Sequence, residues 1–208
     1  MLVDSVMSRS VVTTEPARSV ESAARLMREG RFRHLPVLVR GHLVAMVSDR
    51  DVMSTGERHT IREVMHTDVI SITPDTPVEV AARLMLENKI GALPVVGNGS
   101  DELAGIVTQS DLFEVLARLL GGYGPSTRLE VRVTDLPRQL AEIARLACEH
   151  HAPITSLVIL PPSSQMLSHR IVLRVPTMVV APFAQALHDL GMDVDHPDKL
   201  ESPRVAHA

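Results

Sequence analysis

The stretch Val20-Glu21-Ser22-Ala23-Ala24-Arg25-Leu26-Met27 returns 58 residues later as Val78-Glu79-Val80-Ala81-Ala82-Arg83-Leu84-Met85. The same offset carries Val6-Met7 onto Val64-Met65, Pro16 onto Pro74, and Leu35-Pro36-Val37 onto Leu93-Pro94-Val95. Two residues are then inserted, after which Leu43 matches Leu103, Val47 matches Val107 and Asp51 matches Asp111. Coincidence does not give so many identities in order. The first 120 residues are two copies of one unit.

Each copy reads as strand, helix, strand, strand, helix. In copy two, Val69-Ile70-Ser71-Ile72 is an expected strand, and Thr76-Pro77-Val78-Glu79 reads as a capping box with proline at the first helical position. Val80 with Leu84, and Ala81 with Met85, fall at helical spacing. Asn88 and its counterpart Gly30 are residue types suited to a left-handed helix end. Ala92–Val96 and Leu103–Val107 follow as strands around an Asn98-Gly99 turn. Thr108 then opens a helix running toward Leu120.

Leu120-Gly121-Gly122-Tyr123-Gly124-Pro125-Ser126 reads as a linker. Beyond it the pattern predicts a strand (Leu129–Val133), a helix (Leu136–His150) with Leu140, Ile143, Ala144 and Ala147 inward, and a strand (Ile154–Leu160). A loop at Pro161-Pro162-Ser163-Ser164, a strand (Arg170–Val175), a helix (Met178–Leu190) stopped by Gly191, and a strand near Met192–Val194 complete a βαββαβ order, an α+β sandwich of the ferredoxin-like kind. The expected division is copy one at 1–58, copy two at 59–120, linker at 121–127, a second domain at 128–197 and a tail at 198–208.

Composition narrows the function. The 208 residues are 45% hydrophobic and 22% charged, an ordinary globular balance, with a net charge of −4. The charge is −3 before the glycine-rich stretch and −1 after it. Neither half is basic enough for a nucleic-acid backbone, and Phe32, Phe113, Phe183 and Tyr123 are the whole aromatic complement. Nucleic acid is excluded as a partner. The single cysteine, Cys148, forms no intrachain disulfide, and among Ala144, Ala147 and Leu140 it is expected to be small and buried. The start MLVDSVMSR lacks the apolar core of a signal peptide, and no stretch approaches a membrane span. The expectation is a cytoplasmic protein without membrane contact.

The most informative positions are Ser48-Asp49-Arg50-Asp51 and Thr108-Gln109-Ser110-Asp111. Each sets a hydroxyl and a carboxylate three residues apart where a strand becomes a helix. Such a pair caps a helix. The same geometry suits a nucleotide: unpaired helix-start N–H groups attract phosphate, the hydroxyl bonds ribose or phosphate, and the carboxylate can accept from both ribose hydroxyls. Arg33 and His34 precede a strand whose Pro36 leaves neighbouring backbone groups unladdered, and Arg50 adds a guanidinium suited to phosphate.

With VM near the start, HLPV or ALPV in the middle and S/T-x-x-D at the end, the paired units resemble tandem cystathionine-β-synthase (CBS) domains, which together form a Bateman module. The resemblance implies that AMP, ADP or ATP binds as a regulatory ligand between the repeats, with S-adenosylmethionine as a lesser candidate. It further implies that Asp51 and Asp111 hold ribose hydroxyls, that Ser48 and Thr108 sit by ribose or phosphate, and that Arg33, His34 and Arg50 sit by phosphate. Val12-Thr13-Thr14 and Ile70-Ser71-Ile72, with Pro36-Val37 and Pro94-Val95, would line the adenine slot. Ala45, where many members have a glycine like Gly105, would tighten or block the first site. The second half resembles an ACT domain, with Asp135-Leu136-Pro137-Arg138 where amino-acid-binding members show D-x-P-G. Arg138 in place of that glycine removes a close backbone approach. The whole order is similar to a family of acetoin-utilisation proteins. Both modules resemble families that pair, which implies a homodimer, with the regulated enzyme or other partner left open.

The sequence carries no phosphate-cradling G-x-x-x-x-G-K, no H-E-x-x-H and no G-x-S-x-G. His150 and His151 are adjacent, so their side chains diverge around a helix and read as helix-end residues rather than metal ligands. No catalytic or metal residue is expected. The function read from the sequence is a non-enzymatic sensor; the alternatives are a scaffold dimer with empty clefts and an amino-acid sensor built around Asp135.

Overall fold

The computed structural model describes residues 1–55, 59–121, 124–162 and 168–195. Gly122 and Tyr123 of the expected linker, Ser163 and Ser164 of the expected loop, and the expected tail lie outside the described residues. The chain divides into two compact units, Met1–Val115 and Leu116–Ala208.

In the first unit, a 3-10 turn (Val3–Ser5) precedes α1 (Val20–Gly30), β1 (His34–Val39), β2 (His42–Ser48), α2 (Asp49–Ser54) and α3 (Ile61–Val64). Copy two continues with α4 (Val78–Asn88), β3 (Ala92–Val96), β4 (Leu103–Thr108) and α5 (Gln109–Leu119). The hairpins match: β1 pairs antiparallel with β2 through Leu35 and Val47, and β3 with β4 through Leu93 and Val107. All four of these side chains are fully buried. Burying a side chain of this size contributes about 1.5–3 kcal/mol.

The strand expected at the head of each copy shrinks to one parallel bridge, Thr14 to Val37 and Ile72 to Val95. Proline is the cause. Thr14 N–H donates to Pro36 O and Leu38 N–H to Thr14 O. The next bond of a parallel ladder would run from the amide of Pro36 to the Val12 carbonyl, and proline has no N–H. Pro94 ends the copy-two ladder in the same way, short of the Ile70 carbonyl.

The opening segments of the copies are exchanged. Val3 and Met7 are buried in the copy-two core with Leu93, Val95 and Val107, whereas Ile61 is buried with Leu35, Val37 and Val47 of copy one. Backbone bonds fix the exchange: Val3 N–H donates to Thr76 O, Val78 N–H to Met1 O, and Ile61 N–H to Arg18 O. The cap of α4 therefore differs from the expected box. Pro77 is its N-cap, and the Thr76 hydroxyl accepts from Thr73 N–H rather than from the helix. The left-handed helix ends also fall one residue later than expected, at Arg31 (φ 55°) and Lys89 (φ 54°). Gly30 serves close packing instead, because a Cβ there would meet the Phe32 ring at 2.0 Å. Asn88 donates its side-chain amide to Leu84 O.

The second unit follows the expected order: β5 (Ser126–Val133), α6 (Leu136–Glu149), β6 (Ser156–Leu160), β7 (His169–Pro176), a 3-10 turn (Thr177–Val179), α7 (Val180–Asp189) and β8 (Asp193–Asp195). Its antiparallel sheet runs β6-β7-β5-β8, the ferredoxin-like arrangement. The core joins Leu129, Val131, Ile171 and Leu173 to Ile143, Phe183 and Leu187. The inward face of α6 is centred on Ile143, Leu146 and Ala147, with Leu140 at its edge. Ala144 and Cys148, expected inward, are exposed. They lie i and i+4 on a stripe turned away from the Ile143–Ala147 stripe.

Candidate functional site

The strand-to-helix corners arise locally. Ser48 ends β2 in extended geometry and caps α2 reciprocally with Asp51: the Ser48 N–H and hydroxyl donate to Asp51 Oδ2 at 2.8 and 2.6 Å, and Asp51 N–H donates to Ser48 Oγ at 3.4 Å. Thr108 and Asp111 repeat the arrangement at α5 with Oδ2 bonds of 2.7 Å each. One oxygen of each aspartate is thus consumed by its own cap, which leaves Oδ1 outside that cap.

The helix-start amides are also spoken for. Asp49 N–H donates to Arg33 O at 2.8 Å, Arg50 N–H to Asp49 Oδ1 at 2.8 Å, and Gln109 N–H to Gly91 O at 3.1 Å. These three amides are paired, the Asp49 and Gln109 amides because each corner folds back on its neighbouring strand end and the Arg50 amide by the adjacent Asp49 side chain. At the copy-one corner an anion must therefore be held by side chains.

A cleft of about 820 Å³ opens beside α2, within the range of small-molecule sites. Of the expected residues, it gathers Arg33, His34, Ser48, Arg50, Asp51, Ile70 and Pro94. Asp111, Thr108, Thr13, Thr14, Pro36, Val37 and Ile72 do not line it. Thr14 is buried and committed to β1, while Val37 and Ile72 are core residues. Asp111 and Thr108 hold the equivalent corner of copy two. Met65, His66, Thr67, Asp68 and Val69 line the cleft instead, together with Lys89, Ile90, Gly91 and Gln109. These were missed because the exchange carries the 65–70 segment onto copy one. The repeat offset holds the signal that could have found them, since 66–70 corresponds to 8–12 and 89–92 to 31–34.

Arg33, Arg50 and Lys89 face Asp49, Asp51 and Asp68 around this cleft. His34 is not a fixed cation there: burial lowers its pKa, opposed by Asp49, so the ring is neutral at pH 7. It packs where Gly91 lacks a side chain, since a Cβ on Gly91 would lie 2.8 Å from His34 Cε1. Burial raises the Asp51 pKa, but the hydrogen bonds from Ser48 and His66 outweigh it and hold the carboxyl below its ordinary value. The Ile70 carbonyl, left unladdered by Pro94, accepts no backbone bond among the described residues.

Ala45 is fully buried in the copy-one core and does not line the cleft, so it does not block it. Gly105 admits Met7 and the Ser8 carbonyl, which a Cβ would meet at 2.7 and 2.9 Å. In the second unit, Asp135 caps α6 through Arg138 N–H, and Gln139 Oε1 accepts the Thr134 and Asp135 amides. The Thr134, Asp135 and Arg138 amides there are bonded internally. No group of three or more metal-ligating side chains occurs among the described residues, and no helix among them is long and apolar enough to cross a membrane.

Paired hairpin-helix units with exchanged openings and an S/T-x-x-D corner beside a shared cleft define a Bateman-type module. The chain belongs to the CBS domain family, whose signature matches residues 3–57 and 61–118. It is 40% identical over 111 residues to inosine-5'-monophosphate dehydrogenase of Korarchaeum cryptofilum, covering 53% of this chain and 23% of that enzyme. It is 33% identical to the CBS domain-containing protein YhcV of Bacillus subtilis, covering 53% of this chain and 81% of YhcV. The chain thus spans less than a quarter of the dehydrogenase.

Among solved structures, a Vibrio cholerae protein proposed to act in acetoin utilization (AcuB) superposes with a TM-score of 0.54 at 34% identity, over 58% of this chain and 95% of that one. The CBS pair of protein MJ0100, in complex with 5'-methylthioadenosine and S-adenosyl-L-methionine, gives 0.54 at 28% identity, over 56% and 96%. CBSX2 in complex with AMP gives 0.51 at 27%, over 55% and 95%.

Proposed function

We propose that this chain is a non-enzymatic sensor that binds an adenine nucleotide in the cleft between its CBS repeats and passes occupancy to a partner or to its own second unit. One observation carries the reading: Asp51, whose Oδ2 is taken by Ser48, lines an open cleft that also holds Arg33, Arg50 and Lys89. The carboxylate suits ribose hydroxyls and the three cations suit phosphate. The Ile70 carbonyl, left free by Pro94, is an acceptor for the adenine amino group. The adenosyl-bound state of two similar CBS pairs supports the choice of ligand.

Thr108 and Asp111 would serve a second cleft in the same way. A homodimer belongs to the proposal, supported by the exposed apolar side chains of Phe113 and Leu116 on α5. The likeness to AcuB spans 58% of this chain, so it speaks for the sensor more than for acetoin as its pathway.

The test is a thermal-shift panel of AMP, ADP, ATP, S-adenosylmethionine and amino acids. Ligand at 100 times its dissociation constant adds about 2.7 kcal/mol, and a chain of this size then melts about 5–10 °C higher. A shift with adenosyl compounds supports the sensor. No adenosyl shift leaves a scaffold with empty clefts, and a shift with amino acids alone returns the site to the second unit.

A further inference from the structure

Asp51 and Asp111 share the same cap but not the same second oxygen. His66 Nε2 lies 3.0 Å from Asp51 Oδ1. The residue related to His66 by the 58-residue offset is Ser8, and the backbone treats the two alike. His66 exchanges both amide bonds with Met46 at 2.8 and 3.0 Å, and Ser8 does so with Ile106 at 2.9 and 3.0 Å. Yet Asp111 Oδ1 accepts no hydrogen bond from Ser8 or from any other described side chain. The molecule therefore carries its own control: equal corners, equal backbone registers, and a latch on one side alone.

We propose that His66 competes with the ligand for Asp51 Oδ1, so that the copy-one cleft fills only as His66 lets go, while the copy-two corner is free of this competition. The inference rests on the ribose-binding role given to the aspartates above. Oδ2 of Asp51 already accepts two bonds from Ser48, which uses its in-plane lone pairs. Oδ1 is what remains for a diol, and with His66 in place one of its two lone pairs is taken. His66 is 67% exposed, so it can swing into solvent without disturbing the core, whereas Asp51 is 18% exposed and fixed by its cap.

Protonation strengthens the latch, because an imidazolium donates a charge-assisted bond to the carboxylate. Ser48 and His66 hold the Asp51 carboxyl below its ordinary value, so the carboxylate stays the acceptor in this bond. The other charged and titratable groups around the cleft are Asp49 and Arg50 on α2, Asp68 beside His66 on its own segment, Arg33 and His34 at the start of β1, and Lys89 ending α4. Of these, His34 is the one whose burial favours the neutral form.

The experiment is isothermal titration with adenosine, which carries the ribose diol and has no phosphate to titrate. In Asp111→Ala protein, which reports the Asp51 cleft, affinity is expected to rise about two- to fivefold from pH 5.5 to 8, the range of an exposed ion pair. Adding His66→Ala is expected to tighten binding at pH 5.5 by the same factor and flatten the profile. Asp51→Ala protein, which reports the other corner, is expected to be flat. Weaker binding in the His66→Ala protein, or a pH slope that survives the substitution, overturns the competition and leaves the sensor standing. Absence of binding by adenosine and AMP to wild-type and His66→Ala protein alike overturns the sensor itself, and this inference with it.

Discussion

Ser48 and Asp51 bond each other in both directions, with the Ser48 amide and hydroxyl donating to Asp51 Oδ2 and the Asp51 amide returning to Ser48 Oγ. The residue assigned to the ligand is therefore also a structural residue. Asp51→Ala removes an acceptor from a half-buried corner and is expected to cost about 0.5–2 kcal/mol of stability along with the ligand shift. Ser48→Ala is expected to cost a similar amount while leaving Oδ1 in place, so adenosyl binding weakens less than in Asp51→Ala. Chemical denaturation and titration of the two variants check this. Equal loss of binding in both would show that the corner as a whole, rather than Oδ1, holds the ligand.

Acid sensitivity follows from the same carboxyls. In Asp51 and Glu130 burial acts to raise the pKa and is outweighed, by Ser48 and His66 at Asp51 and by Arg128 and Arg170 at Glu130. Both pKa values are lowered in the folded state, so the stabilisation is complete above the unfolded values near 4 and is lost as pH falls below them. The two carboxyls are expected to lower urea midpoints toward pH 3, after an earlier decline that begins below about pH 6.5, where the unfolded chain protonates His34 and the buried ring resists it. Glu130→Gln is expected to lose about 1–2 kcal/mol at pH 7, because Arg128 and Arg170 lose their shared partner at 2.6 and 2.8 Å. Its difference from wild type should shrink toward pH 3; a constant difference would place the effect in packing.

The repeat made much of this fold legible. Thirteen or more identities at one offset define two copies without any knowledge of packing, and the continuous apolar run of β3 and the alternation in β5 give their strands directly. The ferredoxin-like order of the second unit was readable because each helix there has a clean apolar stripe and a glycine or aspartate at its boundary. The cleft was only half legible. Ser48, Arg50, Asp51, Arg33 and His34 are local to one corner, whereas His66, Asp68 and Lys89 arrive from the other copy. A reading that pairs each signature with its own copy puts Thr14 and Val37 beside the ligand, but the backbone buries both. Cys148 and Ala144 were misplaced for a simpler reason: in a sequence rich in small apolar residues, the edge of a helical stripe is not marked by the residue type.

The exchange of opening segments makes a prediction that the order of the chain would not suggest. Ile61 belongs in sequence to copy two and is fully buried in the core of copy one. Ile61→Ala is expected to cost about 2–5 kcal/mol, and native-state hydrogen exchange should accelerate first in β1 and β2. Deleting residues 1–7, which removes Val3 and Met7 from the copy-two core, should accelerate β3 and β4 first. The opposite pattern, with each change loosening its own copy, would sink the exchanged arrangement.

Gly91 is where the cleft is most sensitive to bulk. A Cβ there would sit 2.8 Å from His34 Cε1, 3.2 Å from its Nε2 and 3.8 Å from Gln109 Oε1. No backbone atom stands within that distance, and the obstructing group is the end of a side chain that can move. Gly91→Val should therefore fold with a stability change of about 1 kcal/mol or less while pushing His34 and the valine methyls into the space a ligand needs. The expected result is at least about tenfold weaker adenosyl binding at the Asp51 cleft, measured by titration in Asp111→Ala protein, with the melting temperature of the ligand-free protein little changed. Gly91→Ala should fall between wild type and Gly91→Val, because one methyl displaces the ring without filling the cleft. Undiminished affinity in Gly91→Val would mean that the ligand lies away from the His34–Gly91 contact, and the wall of the site would have to be redrawn around Asp68 and Ile70.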